Sequence, residues 1–406
     1  MFPEGFIELL QASTGRADVV AAALEQAPSV SIRLNPAKMQ ECPFPEAERV
    51  PWSPYGYLLN ERPVFTLDPL FHAGCYYVQD TSAMFVGHVF RLVTEDLQPG
   101  CRVLDLCAAP GGKTTDLAAS LRERFGDRYS LLANEVMRNR YAVLRSNVET
   151  WGDPRVGTVS RDPSAFGEDP VFDAIVADVP CSGEGMFRKD QQAIDEWSPK
   201  TVEFCAARSR RILSDIWPTL KPGGILIYST CTFNHFENDD TVEWIAKELG
   251  ADVVTPKEEI LRFAQNDKGK AQNDRIVTTK YGYALLPGLV PGEGQYVAAL
   301  KNHSDCPSKG IAGRPKDAFP GASALFFAPG NALSASGDKS GGPIVNVDRL
   351  TALHYLHGDA IVLPEDAPLG EVTIGYEGHA LGPGKNLGKR CNNLYPKNKR
   401  IRMDIR

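Results

Sequence analysis

The sequence lacks the features that mark membrane, secreted and zinc-stabilised proteins. It contains no run of about 18 apolar residues, so we predict no membrane span and no binding to membranes. The first residues, "MFPEGFIELLQAS", include neither the basic segment nor the long apolar stretch of a secretory signal. The nine cysteines are scattered singly and form no C-x-x-C pair, which argues against a disulfide framework and a structural zinc site. We therefore expect a cytoplasmic protein without a bound metal.

The composition of the 406 residues is that of a soluble globular protein with room for two or three domains, since 43% are hydrophobic and 23% are charged. The net charge of −7 does not by itself suggest a nucleic-acid partner. Its distribution is uneven, because residues 385–406 carry eight Lys or Arg and one acid, a local +7, which leaves −14 for the rest. Such a basic end can bind phosphate groups or be a solvated surface, and composition leaves both interpretations open.

Strand and helix signals alternate from Val78 to about Leu300. Buried-strand patterns such as "RVLDLC" and "FDAIVADVP" alternate with helical patterns such as "TTDLAASLRERF" and "TVEFCAARSRRILSDIWPTL". The alternation predicts an α/β domain with a parallel, doubly wound sheet and helices on both faces. We expect four segments: a small N-terminal module (1–77), the α/β domain (78–302), a linker region (303–344) and a small α+β module (345–406). The sequence "AQND", which begins at both Ala264 and Ala271, is interpreted as part of a surface insertion.

The turn after the first strand of this domain, "DLCAAPGGKTTD", is suited to contact a ligand. Gly111 and Gly112 let backbone N–H groups approach closely, and the helix N-terminus that follows favours negative charge. A phosphate-binding P-loop would need glycine where Cys107 stands, and no G-x-G-x-x-G dinucleotide motif occurs. With these two motifs excluded, recognition of a nucleoside is the remaining interpretation of the loop. Glu135 ends the second strand and can bind ribose hydroxyls, and Asp162 ends the third and can receive an adenine amino group. These features indicate S-adenosylmethionine as the ligand.

Two cysteines follow neighbouring strands of the predicted sheet. Cys181 lies in "DVPCSGEGMFRKD", after the fourth strand, and Cys231 lies in "YSTCTFNHFEND", after the fifth. The polar, turn-forming residues beside them are typical of site loops. Six other cysteines are interpreted as small buried hydrophobic residues: Cys42, Cys75, Cys101, Cys205, Cys306 and Cys391.

The two thiols and Asp178 suit the methylation of cytosine at carbon 5. A thiolate that adds to carbon 6 makes carbon 5 nucleophilic, and a carboxyl group such as Asp178 can hold a proton at N3. A second thiol can assist removal of the carbon-5 proton. We therefore predict that Cys181 and Cys231 face one cytosine. Residue chemistry alone leaves open which thiol attacks, because DNA cytosine methyltransferases use the thiol that follows proline.

Three motifs, "DLCAAPGGKTTDLAA", "DVPCSGEGMFRKD" and "YSTCTFNHFEND", resemble in order and spacing the signature motifs of the Nop/Sun RNA cytosine-5 methyltransferases. "SIRLNPAK" and "YYVQDTSAM" resemble flanking segments of that family, and the basic end is similar to that of its bacterial RsmF branch, which methylates small-subunit (16S) ribosomal RNA. The resemblance implies a Rossmann-like class I S-adenosylmethionine-dependent methyltransferase core with a small N-terminal module and a C-terminal PUA-like, RNA-binding α+β domain. It also implies methyl transfer to a ribosomal RNA cytosine through a covalent cysteine adduct.

The resemblance further implies a role for each site residue. Cys231 matches the family nucleophile, Cys181 matches the thiol needed for product release, and Asp178 matches the acid that binds the target base. Lys113 points toward the target base in this family. The implied cofactor site comprises Cys107, Ala108, Ala109, Pro110, Gly111, Gly112, Lys113, Glu135, Asp162 and Asp178.

The alternatives are an RNA-binding ribosome assembly factor with a vestigial cofactor pocket, a tRNA methyltransferase and a DNA cytosine methyltransferase. The intact cysteine motifs argue against the first, and the last would carry a Glu-containing motif and a long target-recognition insert, which we do not find. Phe187, Phe233 and Phe236 can stack on the base or pack in the core, and Arg188 and Lys189 are candidates for phosphate contacts. We expect a monomer that binds ribosomal RNA or the small ribosomal subunit.

Overall fold

The computed structural model describes residues 2–255, 261, 275–303 and 342–405, whose strands form three separate sheets. The "AQND" repeat, Cys306 and nearly all of the predicted linker region lie outside the described residues. The interpretations of these segments, and the domain boundaries, therefore stay predictions. Within the described ranges no helix combines the length and the apolar character that a membrane span requires.

The described part of the N-terminal module consists of three helices and a four-stranded antiparallel sheet. Its elements are α1 (Phe6–Thr14), α2 (Ala17–Leu24), β1 (Val30–Leu34), β2 (Glu48–Arg49), β3 (Gly56–Leu59), α3 (Pro69–His72) and β4 (Tyr76–Val78). The strand order is β2-β3-β1-β4. Helix α1 packs away from this sheet, against the central domain, where the ring centroid of Phe6 lies 5.0 Å from that of Phe187 and 5.5 Å from that of Trp197.

A nine-stranded mixed sheet forms the central domain. Its elements are α4 (Thr81–Val93), β5 (Cys101–Asp105), α5 (Gly112–Phe125), β6 (Tyr129–Asn134), α6 (Arg138–Trp151), β7 (Val156–Val159), β8 (Phe172–Asp178), α7 (Gln191–Glu196), α8 (Pro199–Ile216), β9 (Leu220–Thr230), α9 (Asp239–Glu248), β10 (Ala251–Val253), β11 (Ile276–Thr278), β12 (Tyr283–Leu285) and β13 (Gln295–Asn302). The order is β11-β12-β13-β9-β8-β5-β6-β7, and β10 pairs with β13.

Five adjacent strands, β9-β8-β5-β6-β7, run parallel and confirm the predicted Rossmann-like core. The wholly parallel sheet predicted from the alternation of strands and helices is wrong for β10 to β13, which pair antiparallel. The connections between β11, β12 and β13 are too short for the crossover helix that parallel neighbours need.

Chain order in the parallel part reverses between β5 and β8, since β6 and β7 lie on one side and β9 on the other. Ligands of such sheets bind outside the carboxyl ends of the strands at this reversal point. Strand β8 is covered on both faces, and Ala174, Ile175, Val176 and Ala177 are each 0% exposed. Its apolar run is therefore that of a central parallel strand, and the half-exposed polar residue that ends the run, Asp178, stands at the edge where a ligand would bind.

The C-terminal module comprises β14 (Ile344–Asn346), α10 (Arg349–His357), β15 (Gly370–Tyr376), β16 (His379–Asn386) and β17 (Cys391–Asn393). Its strands follow the order β14-β15-β16-β17. The basic end of the chain is part of this fold, because it supplies β17 and the buried side chains of Cys391, Tyr395 and Ile401. Cutting the chain after Gly384 would therefore disrupt the module, and individual basic side chains have to be tested instead.

The N-terminal sheet contacts both other units. Its buried residues share one apolar cluster with those of the C-terminal module, and Arg349 donates a hydrogen bond to the carbonyl of Leu67 at 2.8 Å. Toward the central domain, the buried guanidinium of Arg33 donates to the Gly112 carbonyl at 3.2 Å and to Thr115 Oγ1 at 2.5 Å. The N-terminal module is therefore held against the start of α5, the helix that follows the predicted cofactor loop.

Candidate active site

A cleft of about 300 Å³ opens where the carboxyl ends of β5, β8 and β9 meet. The N-terminal module contributes residues 77–80 to one side of it, and residues 293–295 close the other. The predicted site residues that line the cleft are Cys107, Ala108, Ala109, Pro110, Gly112, Lys113, Asp178 and Cys231. Gly111, Glu135, Asp162 and Cys181 are not among the lining residues.

The loop between β5 and α5 is held by hydrogen bonds from the neighbouring strand and helix. The backbone N–H of Ala108 donates to the Asn134 carbonyl at 2.8 Å, and Arg140 donates to the Ala109 carbonyl at 2.8 Å. Gly111 has a φ of 111°, which a residue with a side chain rarely adopts, and it begins helix α5. The loop therefore presents its backbone and the N-terminus of α5 to the cleft in a fixed shape.

Two carboxylates at the ends of β5 and β6 have buried oxygens that accept no hydrogen bond, namely Asp105 Oδ1 and Glu135 Oε2. Glu135 Oε2 lies 3.3 Å from Arg140 Nη1, within ion-pair distance but without hydrogen-bond geometry. Burial raises the pKa of Asp105 to about 7, against a smaller opposite effect of its hydrogen bond from Thr114. Two unsatisfied acceptors next to the loop fit S-adenosylmethionine, which carries an ammonium group and two ribose hydroxyls as donors.

The sequence predicts that Asp162 contacts an adenine ring from the end of the third parallel strand. It follows β7 as the exposed first residue of a short 3₁₀ turn, where its carboxylate accepts from the backbone N–H and hydroxyl of Ser164 at 3.0 and 2.6 Å. The predicted adenine contact therefore stays a prediction.

Lys113 and Asp178 form an ion pair inside the cleft, with Lys113 Nζ 2.8 Å from Asp178 Oδ2. Burial lowers the pKa of Lys113, but the charge and hydrogen bond of Asp178 outweigh it, so the pKa of this amine is raised and the amine stays protonated. The other oxygen of Asp178 accepts from Ser229 Oγ at 2.8 Å and Gln295 Nε2 at 3.1 Å. Asp178 is thus oriented from three sides while it faces the cleft.

The sulfur atoms of Cys181 and Cys231 lie 3.2 Å apart. Cys231 lines the cleft, and Cys181 sits beside it, outside the set of lining residues. The hydrogen bond to Cys231, followed by burial, raises the pKa of Cys181 well above that of an ordinary thiol. Cys181 therefore holds its proton more tightly than an ordinary thiol does.

The segment after Cys181 is fastened to the segment after Cys231 by two buried glutamates. Glu184 accepts from the Phe233 backbone N–H at 2.5 Å and from Asn234 Nδ2 at 2.8 Å. Glu237 accepts from the backbone N–H and the hydroxyl of Ser182 at 3.0 and 2.5 Å. Burial raises the pKa of Glu237 to about 7, although Ser182 and Asn234 lower it. These bonds hold the two cysteines in one arrangement.

The aromatic and basic residues near the motifs divide between core and surface. Phe187 and Phe233 are 5% and 3% exposed and belong to an apolar cluster, which agrees with the interpretation that they pack in the core. Phe236 is 41% exposed. Arg188 is buried and pairs with Glu293 at 2.7 Å, so its predicted role as a phosphate contact is wrong. Lys189 is more exposed and lines the cleft.

Several residues at the site escaped the sequence-based prediction. Asp105 lies in the motif "VLDLC", and its position as the last residue of the first parallel strand was the available signal. Gln295 and Ser229 orient Asp178, and Glu184 and Glu237 join the cysteine loops. They come from segments far apart in the chain, so no local pattern reveals their contacts.

Comparisons with known proteins match the chain along most of its length. A family model described as 16S rRNA methyltransferase RsmB/F matches residues 93–301. The model for the N-terminal domain of 16S rRNA methyltransferase RsmF matches residues 2–81, and the methyltransferase RsmF PUA domain model matches residues 343–401. The ribosomal RNA small subunit methyltransferase F proteins of Salmonella paratyphi A and Salmonella agona are each 34% identical over 337 residues, which cover 79% of this chain and 67% of the relative.

Solved structures show the same architecture. A methyltransferase homolog protein from Pyrococcus horikoshii is 26% identical with a TM-score of 0.56, and the match covers 73% of this chain and 93% of that one. NSun6 from Pyrococcus horikoshii with SFG has a TM-score of 0.58 at 17% identity, over 75% of this chain and 99% of that one. At that identity the second likeness concerns the fold alone.

Proposed function

The chain belongs to the RsmB/F family of 16S rRNA methyltransferases, and from this premise we propose that it methylates carbon 5 of a cytosine in small-subunit ribosomal RNA through a covalent adduct on Cys231. It is an S-adenosylmethionine-dependent ribosomal RNA methyltransferase. The residue roles, the adduct, a monomeric state and a cytoplasmic location are parts of the proposal.

The observation that carries the mechanism is the position of two adjacent thiols beside an oriented ion pair. Cys231 lines the cleft together with Lys113 and Asp178, and Cys181 touches Cys231 from outside the lining. A cytosine that enters the cleft would meet Cys231 before Cys181. This order supports Cys231 as the nucleophile and Cys181 as its partner.

The residues that would hold S-adenosylmethionine are the segment Cys107–Lys113, Asp105 and Glu135. The carboxylates of Asp105 and Glu135 would satisfy their unpartnered oxygens with the donors of the ligand. When bound, this cofactor supplies a methyl group on a positively charged sulfur, which makes the methyl group electrophilic.

The first half of the reaction activates carbon 5. The thiolate of Cys231 forms a bond to carbon 6, and the electron pair of the carbon 5–carbon 6 double bond becomes available at carbon 5. N3 takes up a proton from water as the thiolate adds and returns it to water when the double bond re-forms. Asp178 accepts the hydrogen bond of this N3–H, and Lys113 holds Asp178 in place. Carbon 5 then takes the methyl group, and the electron pair of the broken methyl–sulfur bond stays with the cofactor.

The second half releases the product. Once the sulfur of Cys231 is bonded to carbon 6, Cys181 loses the hydrogen bond that is the largest cause of its raised pKa. Its own proton can then leave to water, and its thiolate takes the proton from carbon 5. The electrons of that carbon–hydrogen bond restore the double bond, the bond from carbon 6 to sulfur breaks, and Cys231 returns to a thiolate.

A denaturing gel tests these roles. Wild type, Cys181→Ala, Cys231→Ala and the control Cys42→Ala are incubated with small-subunit ribosomal RNA and S-adenosylmethionine. Cys42 is a matched control because its thiol is half-buried like the other two but lies in the N-terminal module, outside the cleft. We expect Cys181→Ala alone to accumulate a slowly migrating RNA-bound band, since its adduct forms and is not resolved.

Each of the other outcomes would support a different role or substrate. A band in Cys231→Ala instead would reverse the two roles. Cofactor binding without methyl transfer to free RNA, the subunit or tRNA would leave the assembly-factor hypothesis, and transfer to DNA or tRNA in preference to small-subunit RNA would overturn the proposed substrate.

A further inference from the structure

A second cavity, of about 330 Å³, lies where the N-terminal sheet, helix α6 and the C-terminal module meet. It is somewhat larger than the catalytic cleft. Five aromatic side chains and one histidine line it: Phe71, His72, Tyr76, Tyr77, Trp151 and Tyr395. The cavity is therefore an aromatic chamber at a junction of three structural units.

Hydrogen bonds between the units fix the walls of this chamber. Asn35 Nδ2 donates to the carbonyls of Gly74 and Trp151, both at 3.0 Å, and Lys38 Nζ donates to those of Ala73 and Thr150, both at 2.8 Å. These bonds tie the loop before β4 to the C-terminal turn of α6. The aromatic surfaces are thus positioned before any ligand arrives.

One face of the indole of Trp151 is already covered from inside the protein. The guanidinium carbon of Arg33 lies 4.7 Å from the Trp151 ring centroid, and Arg33 also contacts the start of α5 through Gly112 and Thr115. The chamber and the cofactor loop therefore share one buried supporting residue.

The chamber adjoins the catalytic cleft, because Tyr77 and Val78 line both spaces. Polar groups stand at the chamber as well: Asn147, which donates to Tyr77 Oη at 3.4 Å, the exposed Asn398, and Lys399, whose ammonium lies 3.4 Å from Glu149. A strand with one base in the cleft can continue past Tyr77 into the chamber.

We propose that this chamber binds an unpaired nucleotide of the RNA strand that carries the target cytosine. Its base stacks on the aromatic side chains, and Lys399 pairs with a phosphate. The proposal rests on the proposed function, since the cleft is taken as the site of the target base. The wall shared with the cleft and the exposed cations Lys397 and Arg402 on the same terminal segment favour RNA over a neutral metabolite or a peptide.

A variant that fills the chamber tests this inference. Ser146 lines it from α6, so Ser146→Trp occupies its volume. Val143 is 49% exposed on the same helix and does not line the chamber, so Val143→Trp is the matched control. Asn398→Ala, at an exposed lining position, is a second variant that leaves the fold intact.

The expected result is a KM for small-subunit RNA raised at least about tenfold in Ser146→Trp, in line with the loss of one base-stacking contact. Asn398→Ala raises the KM less, and kcat at saturating RNA and the affinity for S-adenosylmethionine stay at wild-type values. An equal KM for Ser146→Trp and Val143→Trp overturns the inference.

Crosslinking separates this inference from the proposed function. RNA that contains 4-thiouridine is bound to wild type and irradiated, and the crosslinked peptides are identified. We expect crosslinks to peptides that carry Phe71 or Tyr395, and their loss in Ser146→Trp but not in Val143→Trp. Such crosslinks without methyl transfer would reject the proposed reaction alone, and transfer without these crosslinks would reject the chamber as a nucleotide site.

Discussion

Substitution of Gly185 by alanine would separate the two cysteine segments without removing a reactive group. The backbone N–H of Gly185 donates to the carbonyl of Cys231 at 2.7 Å, which joins the segments at one point. A methyl group on Gly185 would stand 2.7 Å from that same carbonyl oxygen and 2.9 Å from the carbonyl oxygen of Glu293. Both atoms belong to the backbone, so neither can move aside as a side chain could.

The structure sets the size of the displacement. Contacts below 3.0 Å do not persist, and ordinary contact begins at 3.4 Å, so the two segments must part by about 0.3 to 0.7 Å. A misplacement of about 1 Å can lower a rate about a hundredfold, so we expect a ten- to hundredfold fall in methyl transfer. Stability falls as well, by about 1–3 kcal/mol, which is the usual cost of forcing an additional methyl group into a packed interior.

The assay is single-turnover methyl transfer to small-subunit RNA at saturating RNA and S-adenosylmethionine, with thermal unfolding measured in parallel. Gly15→Ala is the control, because Gly15 ends α1 with a φ of 63° and an added methyl group meets no atom within 4 Å. That control loses about 1–2 kcal/mol through backbone strain alone and should keep the wild-type rate. It separates an effect of stability from an effect of site geometry.

A wild-type single-turnover rate in Gly185→Ala would refute the predicted displacement of Cys231, because atoms other than those of Cys231 must then have moved to accommodate the methyl group. A fall in rate that Gly15→Ala shares to the same extent would also refute it, because stability rather than geometry would be the cause.

Four further predictions concern the ion pair, the buried acid and the basic surface. Lys113→Met should lower kcat about a hundredfold or more while KM for RNA stays within about twofold, because Asp178 loses its counter-charge; steady-state kinetics checks both values. With the pKa of Asp105 raised to about 7, the affinity for S-adenosylmethionine should rise about tenfold from pH 6 to 8 as this carboxylate ionises, and Asp105→Asn should remove that dependence in calorimetric titrations. The same shift makes the native state keep a proton that the unfolded chain releases near pH 4, so the free energy of unfolding of the ligand-free protein should fall as pH rises from about 4 to 7. Lys397→Gln and Arg402→Gln, at exposed positions, should each reduce the slope of log binding constant against log salt by about 0.7–0.9, and an unchanged slope would exclude these side chains from phosphate contacts.

The sequence predicts part of the candidate site, because several of its reactive side chains stand at the ends of strands. Asp178 and Cys231 follow strands whose apolar runs are recognisable, and parallel neighbours bring their carboxyl ends to one edge. The same logic places the glycine loop at that edge. Position along a strand and the geometry of the sheet were therefore sufficient for these residues.

The remainder depends on contacts between distant segments. Asp162 follows a strand as predicted, and its carboxylate also accepts hydrogen bonds from Ser164, a contact that the strand pattern does not reveal. Arg188 stands next to a lysine in a basic pair, yet it is buried against Glu293, more than one hundred residues later in the chain. The second cavity requires all three structural units at once. Such features follow from tertiary packing, which local composition does not encode.

Two thiols of similar intrinsic chemistry take different positions at the cleft because of the paths of their loops. Ser182 donates a hydrogen bond to Glu237, and Gly185 donates one to the carbonyl of Cys231. These bonds hold the loop after β8 against the loop after β9, so that Cys181 contacts Cys231 from outside the set of residues that line the cleft. The contact with Cys231 and burial raise the pKa of Cys181. Cys231 is among the residues that line the cleft and Cys181 is not, and on this difference rests the proposal that Cys231, rather than the cysteine that follows proline, is the nucleophile.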